Sequence, residues 1–181
     1  MRKKNLLITG ASTRIGREIA LHFSKKGWNI AIHYFNSKSE ANELKKIIEK
    51  NKVKAILIKA DLKNKKQVDN IFPLAKKVIG TIDCLVNNAA LFEKDDILNF
   101  TTKSWNDHLN INLLAPAILI KNFSKQAPKN TISNIINIIH NKDDAADAEN
   151  IKTNFEKVKN NKKRFHELQS LDIMKEYEIY G

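Results

Sequence analysis

Short apolar runs alternate with stretches of helical periodicity through most of this chain. Leu6-Leu7-Ile8 lies at the centre of a run predicted as a strand over 5–9. Over 15–26, Ile15, Ile19, Ala20 and Phe23 recur on one helical face. Gly27 follows where a helix C-terminus favours glycine. The alternation continues with a strand at 28–35, a helix at 39–50 capped by Ser39, and a strand at 53–60. A helix at 65–79 spans Pro73 and stops at Gly80; then come a strand at 82–86, a long helix at 104–126 and a strand at 132–139. Strands and helices alternating at these lengths predict an α/β fold, a parallel sheet with helices on both faces. Right-handed crossovers give it the Rossmann-like order 3-2-1-4-5. Pro116, inside the long helix, predicts a kink or local opening.

Beyond His140 the pattern changes. Residues 141–150 are polar and acidic, and Ile151, Phe155, Val158, Phe165 and Leu168 then recur at helical spacing. One or two surface helices are expected there, or a disordered segment, with no further strand–helix unit. The chain thus divides into a truncated Rossmann-type domain, 1–140, and a divergent polar helical tail, 141–181. Unless that tail covers it, the strand at 132–139 lies at a sheet edge. The cluster of Asp143, Asp144, Asp147 and Glu149 lacks the glycine and spacing of a calcium loop, so no metal is expected.

At 181 residues the chain is long enough for one domain with a proper core. Its net charge of +12 comes mostly from lysines scattered among Asn and Ile, without interleaved aromatics. That pattern excludes a specific nucleic-acid motif and suits a general field attracting a phosphorylated cofactor. The lone Cys84, inside an apolar run, reads as a buried small hydrophobe. The apolar run after Arg2-Lys3-Lys4 breaks at Thr9-Gly10, too short for the core of a signal peptide. No run approaches the length needed to cross a bilayer. A cytoplasmic protein without membrane contact is expected.

The chemistry is carried by strand ends. Residues 9–16 read Thr-Gly-Ala-Ser-Thr-Arg-Ile-Gly, between a strand and a helix. In such a turn Gly10 leaves room for a dinucleotide's diphosphate, and Gly16 lets the helix pack close to the strand. The helix N-terminus then holds the anion. An acidic residue at the end of the second strand would select an unphosphorylated ribose, and none stands between His33 and Lys38. Arg14, Ser37 and Lys38 suit a 2′-phosphate instead, although Lys38 also reads as an exposed lysine at a helix start. Asp61 either lies beside an adenine or caps the next turn.

Together with Asn87-Asn88-Ala89-Ala90 after the fourth strand and Asn110-Ile111-Asn112 in the long helix, these motifs resemble the short-chain dehydrogenase/reductase family over about 5–140. Arg14 stands where most members have glycine and where the pteridine reductase branch has arginine. His33-Tyr34, Ser37 and Phe92 are also similar to that branch, whereas Asn36 stands where it often has arginine. The resemblance implies NADP(H) held along the turn by Gly10, Ser12, Arg14, Ile15 and Gly16. At the second strand's end it implicates His33, Tyr34, Asn36 and Ser37. Asp61 and Leu62 would flank the adenine, and Asn88, Ala89 and Ala90 would line the ribose and nicotinamide. It further implies a planar substrate, a pterin, against Phe92 and Arg14, with Asn112 supporting a water near the catalytic lysine.

That family's reaction uses a Tyr and a Lys four residues later, on the helix after the fifth strand. Here His140 occupies the end of that strand, and no Tyr-x-x-x-Lys follows it. Tyr177 and Tyr180 are the only later tyrosines. Three readings stay open: a reductase domain by descent with activity lost or reduced, an enzyme with a proton donor rebuilt from His140 or the tail, and a non-catalytic nucleotide-binding or interaction protein. Family members assemble through two long helices, and only the one at 104–126 is present, so the usual tetramer is not expected.

Overall fold

The computed structural model describes residues 2–93, 98–127 and 132–139, together with the backbone of Met174–Glu178. Five strands run parallel: β1 (Asn5–Ile8), β2 (Asn29–Tyr34), β3 (Ala55–Lys59), β4 (Cys84–Asn87) and β5 (Asn134–Ile138). The helices between them are α1 (Arg14–Lys25), α2 (Lys38–Lys50), α3 (Lys65–Ile79), α4 (Thr102–Leu109) and α5 (Ala115–Gln126). The sheet order is β3-β2-β1-β4-β5, continued by a sixth strand, β6 (Met174–Glu178).

The central strands are buried throughout and mostly apolar because both sheet faces are covered. Leu7, Leu85 and Ile135 face one way, into a core closed by Val68, Ile71 and Phe72 of α3 and Leu119 and Phe123 of α5. Leu6, Ile8, Ile30, Ile32 and Val86 face the other way, against Ala20 of α1 and Leu44 and Ile48 of α2. Every residue of β1, β2 and β4 is buried. Cys84 is buried, as its apolar setting predicts.

At the lower end of the sheet a polar chain replaces apolar packing. Asp83 accepts the Asn5 amide at 2.8 Å and Arg2 Nη1 at 2.9 Å. Asn29 Nδ2 donates to Asn5 Oδ1 at 2.8 Å, and Asn29 Oδ1 accepts the Lys54 amide at 2.8 Å. These bonds join the starts of β1, β2, β3 and β4 and leave the opposite end, where the strands terminate, open for a ligand.

Three expectations need correction. The helix after β2 begins at Lys38, so Ser39 is inside it and Ser37 takes the cap position without a side-chain bond. The long helix starts earlier, where Thr101 and Ser104 form a reciprocal capping box, and it is not continuous. A π-helical turn, Asn110–Leu114, separates α4 from α5, with the Ala115 amide bonded to the Asn110 carbonyl. Pro116 has no N–H to offer the Asn112 carbonyl, so a regular α-helical ladder cannot pass this point.

The tail also departs from a purely helical or disordered segment. β6 pairs antiparallel with β5, Ile138 opposite Met174 and Asn134 opposite Glu178. The physical reason is the open edge of β5, whose outward N–H and C=O groups find partners there. The remaining tail expectations fall at 140–173 and 179–181, outside the described residues. Among the described residues no helix is long and apolar enough to cross a membrane.

Phe123 is fully buried and meets Phe72 edge-on at 6.2 Å between ring centroids. Phe123→Ala is expected to lower unfolding free energy by about 3–5 kcal/mol, read as a reduced urea midpoint at unchanged m-value.

Candidate functional site

The site lies where β1 and β4 end. Thr9 Oγ1 accepts the amides of Asn88 at 2.9 Å and Ala89 at 3.0 Å. In return Asn88 Nδ2 donates to the carbonyls of Thr9 at 2.9 Å and Gly10 at 3.1 Å. The two turns are therefore interlocked, and this leaves no room for side chains at their contact. A Cβ on Gly10, at φ +62°, would lie 3.1 Å from Ala89 Cα. A Cβ on Gly16 would lie 2.7 Å from Asn88 Nδ2 and 3.0 Å from Ala11 Cα. Both positions need glycine for this close approach.

The start of α1 suits an anion. Thr13 makes no side-chain cap bond, and the first turn holds no acidic residue. It opens instead with Arg14, a cation at the positive end of the helix dipole, where it is unfavourable without a negative partner. Arg14 is also at φ +50°, a conformation costly to a residue with a Cβ. The arginine thus sits, exposed, in a backbone slot shaped for glycine.

His33 is buried behind the turn. Its Nδ1 accepts the Gly10 amide at 3.2 Å, and its Nε2 lies 3.1 Å from the Ala60 carbonyl, to which it donates. That pattern requires the neutral imidazole. Its backbone carbonyl accepts the Ala11 amide at 3.0 Å. Tyr34 is buried, Asn36 is exposed and Ser37 is partly exposed. Asp61 Oδ1 accepts the Lys63 amide at 2.9 Å and so shapes its own turn, while Leu62 is buried in the core.

On the other side, Asn112 holds the chain leaving β4. Its Oδ1 accepts the Leu91 amide and its Nδ2 donates to the Leu91 carbonyl, both at 2.8 Å. His108 adds a second tie: Nε2 accepts the Glu93 amide at 3.2 Å, while Nδ1 donates to the Ser104 carbonyl at 2.8 Å. Between these ties Phe92 is 62% exposed, beside the partly exposed Ala89 and the exposed Ala90. At the start of α1, Ser12 and Gly16 are buried and Ile15 is partly exposed.

Sequence reading missed Thr9 and His108. A hydroxyl immediately before the turn glycine was a usable signal for Thr9; His108 carries none, because its partner is a backbone amide in another element. His140 and Tyr180 lie outside the described residues. The Tyr177 backbone pairs with Ile135, towards the start of β5 and away from the strand ends that form the site.

Burial lowers the His33 imidazole from its ordinary 6.5 to about 4, and the bond to the Ala60 carbonyl only partly opposes this. Between those values the unfolded chain takes up a proton that the folded chain refuses. The contribution is fully present above pH 6.5 and is lost as pH falls towards 4, by about 3 kcal/mol at ~1.4 kcal/mol per pH unit. Urea midpoints measured through this window are expected to fall more steeply for the unsubstituted chain than for His33→Gln.

Residues 4–152 match the short chain dehydrogenase family. A 3-oxoacyl-[acyl-carrier-protein] reductase, FabG, of Staphylococcus epidermidis is 30% identical over 135 residues, covering 75% of this chain and 55% of the relative. The FolM alternative dihydrofolate reductase 1 of Brucella canis, solved complexed with NADP, has a TM-score of 0.72 at 31% identity, covering 75% of this chain and 55% of that one. A blue fluorescent protein from a metagenomic library, solved in complex with NADPH, has a TM-score of 0.72 at 30% identity, covering 76% and 56%. The chain spans about half the length of the relatives it matches. By the extent of the family match, this chain belongs to the short chain dehydrogenases.

Proposed function

We propose that residues 1–140 form the NADPH-binding part of a reductase of the pteridine-reducing branch, and that the 181-residue chain binds the cofactor without turning it over. The observation that carries the cofactor reading is the start of α1. A glycine-lined turn, an uncapped helix N-terminus and a first turn with Arg14 but no carboxylate fit a diphosphate and a further phosphate. The uncharged end of β2 leaves Arg14 and Ser37 to meet a 2′-phosphate, and no carboxylate there selects NADH. Bound NADPH supplies a hydride. This chain's residues orient it: Asn88, Ala89 and Ala90 line its nicotinamide end, and Asn112 and His108 hold Phe92 beside it.

Phe92 favours a flat substrate over an acyl chain, because an exposed aromatic held between two backbone ties offers a fixed stacking face. The NADP complex of an alternative dihydrofolate reductase supports the same branch. Hydride transfer to a pterin also needs a proton donor, and the family's Tyr-x-x-x-Lys is not found after β5 in this sequence.

Titration of the chain with NADPH, followed by cofactor fluorescence, is expected to saturate, with NADH binding more weakly. Dihydropterin added to the complex is expected to cause no steady NADPH oxidation. Absence of any NADPH response would overturn the cofactor reading, and steady turnover would overturn the inactive one. Arg14→Gly removes the strained conformation and the phosphate partner together. Its melting temperature is expected to hold or rise while its Kd for NADPH rises about tenfold and that for NADH changes little. Phe92→Ala is expected to abolish quenching of pterin fluorescence by the NADPH-loaded chain and leave NADPH affinity unchanged.

A further inference from the structure

We propose that His33 is a positioning residue for the nucleotide: with Asn88 it clamps two successive peptide units of the glycine turn and ties that turn to the loop after β3. The role rests on the NADPH reading above and goes beyond it, because His33 itself is only 2% exposed and faces protein on both ring edges.

The geometry is a two-sided grip. The peptide between Thr9 and Gly10 gives its N–H to His33 Nδ1 at 3.2 Å and its C=O to Asn88 Nδ2 at 2.9 Å. The next peptide, between Gly10 and Ala11, gives its N–H to the His33 carbonyl at 3.0 Å and its C=O to Asn88 Nδ2 at 3.1 Å. Glycine at φ +62° is the residue most able to flip its flanking peptides, so this turn needs an external restraint to keep one conformation. His33 and Asn88 supply it from opposite sides.

The same imidazole reaches the adenine side. Its Nε2 donates to Ala60 at 3.1 Å, and Asp61, next in the chain, begins the loop beside the proposed adenine position. Ser37, proposed to meet the 2′-phosphate, is four residues after His33, between β2 and α2. One ring therefore sets the diphosphate turn against the adenosine end, with a single acceptor and a single donor. Preorganisation of this kind raises affinity without ligand contact, because the free protein already holds the bound geometry.

The test uses the full chain and three variants. His33→Phe removes both ring bonds; His33→Gln keeps a donor towards Ala60; His33→Asn keeps an acceptor at the Nδ1 position for the Gly10 amide. NADPH Kd is read by fluorescence below each variant's melting temperature, and Gly10 amide exchange by NMR without nucleotide. Kd is expected to rise about tenfold in His33→Gln and His33→Phe, with faster Gly10 exchange, while His33→Asn, which keeps the Gly10 bond and gives up the Ala60 bond, restores slow exchange and loses clearly less affinity than His33→Gln. The Asn and Gln pair carries the test if His33→Phe does not fold. NADPH affinity within twofold of the unsubstituted chain in His33→Gln, with only the melting temperature lowered, overturns the positioning role alone. Equal losses in Asn and Gln overturn it too. An unsubstituted chain without saturable NADPH binding overturns the nucleotide reading, and this role with it.

Discussion

The interlock between the ends of β1 and β4 is the constraint on which the site depends. Thr9 gives one hydroxyl oxygen to two amides, and Asn88 gives one side-chain nitrogen to two carbonyls. Four hydrogen bonds between Thr9-Gly10 and Asn88-Ala89 bring the strands' ends closer than side chains at residues 10 and 16 would allow. The two glycines therefore follow from the interlock rather than standing beside it as separate requirements. The same approach leaves Ala89 Cα 3.1 Å from where a Cβ on Gly10 would stand. A larger turn residue would have to open the sheet at its ligand-binding end.

Much of the fold was legible because burial on both faces makes the strands conspicuous. Leu6-Leu7-Ile8 and Cys84-Leu85-Val86 have no polar alternation to mistake for an edge strand, and α3 matches its predicted bounds at both ends. What the pattern could not carry was any feature decided by hydrogen bonds between distant residues. The π-helical turn is one example: Pro116 announced a disturbance but not its form. β6 is another, since its pairing answers the unsatisfied edge of β5 and has no strong local signature. The site divides along the same line. Gly10 and Gly16 are read from local stereochemistry, whereas His33 and Asn112 act on backbone groups far away in sequence. Their side chains bond the Gly10 and Leu91 amides, ties that no local pattern announces.

Arg14 shows a local rule broken in one place for a reason that lies elsewhere. Its positive φ is a cost borne by the folded chain, and its charge opposes the helix dipole. Neither is offset by a carboxylate in the first turn of α1, and Arg17 pairs outward with Glu43 at 3.0 Å. A residue retained against both backbone and electrostatic preference is best explained by a negative ligand that is not part of the chain. The two penalties and the proposed phosphate thus belong to one account.

The two halves of the proposed chemistry separate cleanly along the sheet. Binding needs only the ends of β1 to β4, which the interlock and the His33 clamp hold in place without help from later elements. The family's proton transfer uses a Tyr and a Lys beyond β5, and no Tyr-x-x-x-Lys follows β5 in this sequence. The one described tail tyrosine, Tyr177, is paired towards the start of β5. In the proposed reading, cofactor binding and proton transfer are therefore assigned to different parts of the sheet.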